Sequence, residues 1–305
     1  MALLSLDKGS SITKTRSVRC FTLLILVVGT LLVLSFGKVA SFAWVDEASS
    51  RFLKDGRTGA NCSPTGSTNI NDGRPLAVVI ETEATPNLIP LMLHFSNVLG
   101  PDWSVVLYTL EKSWEMPSSP AFNRAREAGK IDIRFLPPDT TFDSSRAVSL
   151  FLTKPWFWEQ LQSAHRVLLW QTDSIICSKA SQTVEEFFDY DLVGAPIDSK
   201  FGQGYNGGLS IRNPKLFLSI TQESDFETSG AAFEDQWFFK EAEARKDRGV
   251  LLPSEQTAKY FAVETIYYQW PLGYHQPKRW QADKMDEIEE WCPEVKMILS
   301  ERRAV

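Results

Sequence analysis

The side chains of this chain able to do chemistry fall at four stations. Asp173 is the acid of Gln171-Thr172-Asp173-Ser174, held between the apolar runs Val167-Leu168-Leu169-Trp170 and Ile175-Ile176-Cys177. An acid in such a place is costly to bury without a partner. A metal ion, a sugar hydroxyl or a basic side chain would serve, and a turn cap is the plainer reading. Glu234 and Asp235 are adjacent and precede Trp237-Phe238-Phe239. One of them would cap a helix N-terminus, which leaves the other to face a pocket and exchange a proton. His275 lies among Pro, Gly and Tyr, off any helical face, either as a surface polar group or as a ligand. The run Gly202-Gln203-Gly204-Tyr205-Asn206-Gly207-Gly208 lets backbone approach a ligand closely. Asn206-Gly207 also reads as a hairpin turn.

The elements that must position these stations alternate. Leu76–Ile80 is a compact strand that ends at Glu81, and 86–98 is a helix with Leu88, Leu91, Met92, Phe95 and Val98 on one face. Strands follow at 103–108 and 131–136, a helix at 151–161, and the strand at Val167. Continuous apolar runs suit strands buried on both faces, and their carboxyl ends are where an open α/β sheet binds ligands. Asp173 is at such an end. A short helix at 183–190, extended chain at 191–196 and 209–211, a late strand at 261–265 and an acidic helix at 286–290 complete the pattern. β and α alternation means a mostly parallel sheet flanked by helices.

Composition narrows the function. The chain has 305 residues, 43% hydrophobic and 23% charged, enough core for one large domain or two small ones. A formal net charge of -6 excludes a general nucleic-acid binder, which needs a basic face. There is no P-loop, no dinucleotide fingerprint after the first strand and no zinc-spaced Cys/His cluster. Ten Trp and 19 Phe fit a carbohydrate-handling surface, and equally an aromatic core. Among Cys20, Cys62, Cys177 and Cys292, the pair Cys62–Cys292 is the expected disulfide, although spacing does not fix it.

Residues 1–20 are basic, and 21–36 are uncharged and apolar. Those sixteen residues are slightly short of the roughly 20 a span needs, but Lys38 can snorkel. The basic flank orients the N-terminus to the cytosol. The expectation is a cytosolic tail (1–20), a transmembrane signal anchor (21–43), a stem (44–74) and a lumenal domain (75–305). The protein would then be a single-pass type II protein of the Golgi or ER membrane. A signal peptide cleaved near Ser41-Phe42-Ala43 is the alternative. Asn61-Cys62-Ser63 has the form of an N-glycosylation sequon.

Leu76-Ala77-Val78-Val79-Ile80-Glu81-Thr82, Leu169-Trp170-Gln171-Thr172-Asp173-Ser174, Gly204-Tyr205-Asn206-Gly207-Gly208-Leu209-Ser210-Ile211-Arg212, Phe233-Glu234-Asp235-Gln236-Trp237 and Gly273-Tyr274-His275 together resemble one family. It is a fungal domain of unknown function, the 5672 family, regarded as glycosyltransferase-like. The resemblance runs over roughly residues 75 to 282. The same order is similar to GT-A glycosyltransferases more widely, which implies a GT-A-like α/β sheet that binds a nucleotide-sugar. In those enzymes a central strand ends in Asp-x-Asp, and the second acid holds a divalent metal on the diphosphate. The matching triplet here is Gln171-Thr172-Asp173, with an amide for the first acid.

The resemblance therefore implies Asp173 and His275 as ligands of Mn²⁺ or Mg²⁺. Imidazole, being softer, suits Mn²⁺ better. It implies Glu81, Gln171, Asp173, Tyr205, Asn206, Gly207 and Gly208 as substrate-binding, and Glu234 or Asp235 as the catalytic carboxylate. Asp235, nearer the helix, is the more rigid of the two. The implied activity is transfer of a sugar from a nucleotide-sugar donor to a glycan or glycoconjugate acceptor in the secretory pathway. The other reading is a non-catalytic, membrane-tethered sugar-binding protein on a degenerate GT-A frame, which Gln171 favours.

Overall fold

A computed structural model describes residues 73–299. The chain starts with β1 (Leu76–Ile80), α1 (Leu88–Val98), β2 (Ser104–Thr109), α2 (Pro120–Glu127) and β3 (Ile131–Phe135). Next come α3 (Ser145–Leu152), α4 (Pro155–Glu159), β4 (Val167–Trp170), β5 (Ser174–Ile176), β6 (Leu192–Pro196) and β7 (Tyr205–Arg212). The C-terminal part holds α5 (Pro214–Glu223), α6 (Glu234–Glu243), α7 (Glu255–Phe261), β8 (Ala262–Val263), β9 (Gly273–His275), α8 (Pro277–Trp280) and α9 (Met285–Trp291).

Six strands form the main sheet in the order β3-β2-β1-β4-β7-β6, and β5-β9-β8 form a second, smaller sheet. In the main sheet β1/β2, β1/β4 and β2/β3 are parallel, whereas β4/β7 and β6/β7 are antiparallel. The expected mostly parallel sheet is thus corrected to a mixed one. The cause is β7, which returns against β4 and so reverses direction between two strands that share an orientation. Apolar residues of alternate parity feed two buried layers. Ala77, Val79, Leu168 and Trp170 join one with α1, while Val78, Val106 and Leu169 join the other with α5 and α6. Both faces are covered, which is why these strands read as unbroken apolar runs.

The helices follow local rules. Leu88, Leu91, Met92 and Phe95 are the buried stripe of α1, and Phe95 stacks on Trp170 with ring centroids 4.1 Å apart. The expected helix over 151–161 is two helices. Pro155 has no N–H to donate and starts α4 at its first turn, while α3 begins earlier, on a Ser144 cap. Residues 184–187 form only a 3₁₀ turn, closed by a Thr183/Glu186 capping box. The late strand shrinks to Ala262–Val263 because α7, capped by Ser254, takes Phe261.

Two further expectations are corrected here. No helix among the described residues is long and apolar enough to cross a membrane. The expected transmembrane helix at 21–43 lies outside those residues, as does the Asn61 sequon. The membrane partner and the single-pass Golgi or ER localisation required that helix, and the described fold supplies none. Cys292 is bonded to Cys177, not Cys62, at a Cα separation of 5.0 Å. The end of β5 and the end of α9 meet there, and both cysteines are buried. The bridge closes a sequence separation of 115 residues. Replacing both cysteines with serine is expected to lower stability by about 2–5 kcal/mol, read as a lower urea midpoint. An unchanged midpoint would show that the bridge adds nothing.

Candidate active site

The small sheet gathers one half of the site. β5 pairs antiparallel with β9, so Ser174 faces His275, and β8 runs parallel to β9 with Val263 beside Tyr274. Asp173 before β5, His275 ending β9 and Glu264 after β8 therefore meet at one edge. A tight turn holds the Gln171 end: Ser174 N–H and Oγ–H both donate to the Gln171 carbonyl, at 2.9 and 2.7 Å. Asn87, just before α1, donates Nδ2–H to the Thr172 carbonyl at 3.0 Å. Gln276 N–H and its side-chain Nε2–H donate to the Asp173 carbonyl and Oδ2, at 3.0 and 2.8 Å.

His275 is the centre of this half. Its Nδ1 is 2.9 Å from Glu264 Oε1, its Nε2 is 3.2 Å from Gln171 Oε1, and Nε2 is 3.4 Å from Asp173 Oδ1. The His275 and Glu264 side chains are 5% and 6% exposed, against 20% for Asp173, so Asp173 is the member that meets solvent. Burial works against a charge on His275, but Asp173 and Glu264 outweigh it and hold its pKa up at about 9. Gly208 of β7 packs on the ring: a Cβ there would overlap the imidazole atoms.

The other half lies one residue away on the same strand. Successive residues of a strand face opposite sides, so Gly207 turns toward α6 while Gly208 turns toward β9. Gly207 N–H donates to Asp235 Oδ2 at 3.1 Å, and Gln236 N–H donates to Asp235 Oδ1 at 2.7 Å. Glu234 Oε2 accepts from Ser149 Oγ–H of α3 at 2.7 Å. A Cβ at Gly207 would lie 2.7 Å from Arg212 Nη2 and 3.2 Å from Glu234 Oε1. Arg212 is 1% exposed and is flanked by the rings of Trp158, Phe217 and Phe238. Its Nε–H donates to Ser210 Oγ at 3.0 Å. Burial, followed by the neighbouring Glu234 carboxylate, pushes the Asp235 pKa up to about 7. The N–H donors of Gln236 and Gly207, and the Arg212 charge, pull the other way.

Gln171, Asp173 and His275 are thus gathered on one face of the Gly207-Gly208 step of β7, and Glu234 and Asp235 on the other. Three other anticipated residues are placed differently. Asn206 uses Oδ1 to accept Gly208 N–H at 2.7 Å and so shapes the glycine pair. Tyr205 is buried, its hydroxyl donating to the Pro253 carbonyl at 2.6 Å. Glu81 is at the carboxyl end of β1, accepting Glu83 N–H at 3.1 Å. The Asn206-Gly207 hairpin turn is absent, since both residues belong to β7. The left-handed backbone falls instead at Gly202 and Gly204, with φ of 141° and 104°.

Glu264, Arg212 and Ser149 escaped sequence reasoning. Glu264 carried a usable signal, because it closes the apolar Phe261-Ala262-Val263 as Asp173 closes Val167–Trp170. Arg212 and Ser149 carried none, as their roles come from tertiary packing.

Among the described residues no group of three or more His, Cys, Asp or Glu could hold a metal ion. Asp173 and His275 nevertheless fit a cation held by few protein ligands. Their facing atoms, 3.4 Å apart, are spaced much like adjacent ligands at about 3 Å in an octahedral shell with bonds of about 2.1 Å. The pairing of His275 Nδ1 with Glu264 is the arrangement that metal-binding imidazoles use.

A family model described as "Protein of unknown function (DUF5672)" matches residues 130–275. That is a shorter stretch than the motifs span, and the match carries neither an activity nor a fungal source. No curated protein matches the chain. Among solved structures, the chain is similar to the apo-form glycosyltransferase GlyE of Streptococcus pneumoniae TIGR4. The two are 14% identical, with a TM-score of 0.38, over 67% of this chain and 54% of that one. It is also similar to S. aureus TarS, at 13% identity and a TM-score of 0.37, over 55% of this chain and 33% of that one. The chain therefore spans about half or less of the solved chains it matches, and its similarity to the unknown-function family is confined to residues 130–275.

Proposed function

We propose that this protein transfers a sugar from a nucleotide-sugar donor to a glycan or glycoconjugate acceptor. The observation that carries the reading is the Gly207-Gly208 pair. It has the Asp173–His275 pair against one glycine and the Glu234–Asp235 pair against the other. Such a transfer has two charge problems, a diphosphate that departs and a hydroxyl that must lose its proton. Asp173 and His275 would hold Mn²⁺ or Mg²⁺, which when bound neutralises charge on the departing diphosphate. Asp235 would take the acceptor hydroxyl's proton, with Glu234 beside it setting its basicity. Gln171 and Glu81, at neighbouring carboxyl ends of β4 and β1, would meet the donor. The glycines would let it approach the β7 backbone, whose shape Asn206 and Tyr205 maintain. The resemblance of the motif order to that of GT-A glycosyltransferases supports the same reading.

A thermal-shift screen of the protein against nucleotide-sugars, with and without Mn²⁺, tests it. A donor at about 100 times its Kd adds about 2.7 kcal/mol to the folded state, so a clear rise in Tm that grows with Mn²⁺ is expected. No shift with any uridine, guanosine or cytidine diphosphate sugar, in either condition, would defeat the proposal.

A further inference from the structure

We infer that Arg212 is a positioning residue for the Glu234–Asp235 pair: its buried guanidinium offsets the charge of Glu234 and leaves Asp235 as the member that exchanges a proton. The inference rests on the transfer reading and deepens it. Arg212 is 1% exposed, and its Cζ lies 5.8, 5.3 and 5.8 Å from the ring centroids of Trp158, Phe217 and Phe238. Nε–H donates to Ser210 Oγ at 3.0 Å and Nη2–H to the Gly207 carbonyl at 3.5 Å. Nη1 has no hydrogen-bond partner among the described residues. A buried charge must recover its lost hydration from a partner, so an apolar side chain would fill this place at lower cost. The rings recover a little of that hydration. The carboxylates at the start of α6 are the charged partners.

Geometry singles out Glu234. Arg212 Nη2, Glu234 Oε1 and Asp235 Cβ lie 2.7, 3.2 and 3.3 Å from the point that a Gly207 Cβ would occupy. The guanidinium and the Glu234 carboxylate therefore face one another across the bare Cα of Gly207, within the roughly 6 Å over which an opposite charge acts strongly. Glu234 Oε2 accepts from Ser149 Oγ–H, whereas both Asp235 oxygens accept backbone N–H groups, from Gly207 and Gln236. Those backbone bonds fix where Asp235 points without supplying a formal charge. The charged groups that face Asp235 are Glu234 on its own helix and Arg212 on β7. α3 presents the neutral Ser149 to the pair, while its Arg146 donates to the Ala231 carbonyl. α5 contributes the Phe217 ring. One cation and two carboxylates balance when one carboxylate carries a proton. Glu234 favours that proton on Asp235 and Arg212 opposes it, so the cation is what lets Asp235 give the proton up near neutral pH.

Urea unfolding tests this without a substrate. Wild type, Arg212→Met, Glu234→Gln and Arg212→Met/Glu234→Gln are each compared with the same protein carrying Asp235→Asn, between about pH 4 and about pH 10. An acid whose pKa is raised by folding stabilises the protein below its unfolded pKa and loses that contribution as pH climbs to its folded one. In wild type the advantage of Asp235 over asparagine should fall with pH and level off at about 7. In Arg212→Met the levelling-off should move up by about 1–3 pH units, and the rising limb of kcat/KM should move with it. The double variant leaves no unpaired charge at position 234, so it carries the test if Arg212→Met fails to fold. Its levelling-off should lie about 1–3 units above that of Glu234→Gln alone. A levelling-off that stays put in Arg212→Met, or in the double variant where Arg212→Met does not fold, would make Arg212 a packing residue and overturn the inference, whatever nucleotide-sugars do. A shift of the expected size with no rise in Tm from any nucleotide-sugar would uphold the charge balance and sink the transfer reading alone.

Discussion

Asp173→Asn is expected to lower turnover by about 10²–10³-fold, the usual cost of losing one element that stabilises a developing anion, here the cation Asp173 would hold, while the protein stays folded. The side chain is at the carboxyl end of β4, with Oδ1 facing His275 and Oδ2 accepting from Gln276. Asparagine preserves the shape and can keep the Gln276 bond through its oxygen. What it removes is the negative charge that would hold a cation, and with it the neutralisation of the departing diphosphate. Asp173→Ala removes the bond as well and adds about 1–3 kcal/mol of destabilisation, because the buried His275 loses one of its carboxylate partners. Donor turnover, read as nucleotide release, separates the charge from the scaffold. If the asparagine variant works within twofold of wild type, Asp173 has no part in the chemistry, and the metal assignment falls with it.

How much of this was legible in the sequence differs between the halves of the site. Asp173 was legible because buried strands write themselves as apolar runs, and a lone acid at the end of one violates the pattern. Leu76–Ile80 and Val167–Trp170 could be placed for the same reason, and both are strands. Their partners were not legible. The pairing of β5 with β9 joins residues about a hundred positions apart, and nothing local encodes that register. His275 therefore read as a loop residue, although it is buried between two carboxylates. The glycines misled in the opposite direction. Asn206-Gly207 has hairpin chemistry, yet the pair is used in a strand because a helix N-terminus and an imidazole crowd it from the two sides. The Cys177–Cys292 pairing was not encoded in the spacing, only in the meeting of β5 with α9. Arg212 ends an ordinary-looking strand, and only the packing of α5 and α6 makes it a buried cation.

Asp235→Asn should separate activity from stability, because the environment that makes a carboxylate a useful base also makes it costly to ionise. Asp235 has its pKa raised from the ordinary 3.8 to about 7, first by burial and then by Glu234. A base poised there gives kcat/KM that rises with pH through about 7 and levels off above it. The asparagine variant should lose that rise and about 10²–10⁴-fold of the plateau. Stability runs the other way with pH. The fold favours the protonated acid, so the contribution of Asp235 is full below about pH 4 and drains away as pH climbs to about 7, by at most about 1.4 kcal/mol per pH unit. Asparagine cannot titrate, and its amide loses the acceptor for either Gly207 or Gln236, a fixed cost of about 1 kcal/mol. Wild type should therefore be the more stable protein near pH 4, and its advantage should shrink or reverse by pH 8. Urea unfolding of both proteins at several pH values checks this, since groups that do not interact with Asp235 cancel in the difference. A stability difference that is flat from pH 4 to 8 would mean that Asp235 titrates like an ordinary surface acid, and the proton-accepting role would pass to Glu234. If the stability difference slopes as expected but the variant retains wild-type turnover, burial of the charge would be structural and Asp235 would not be the base.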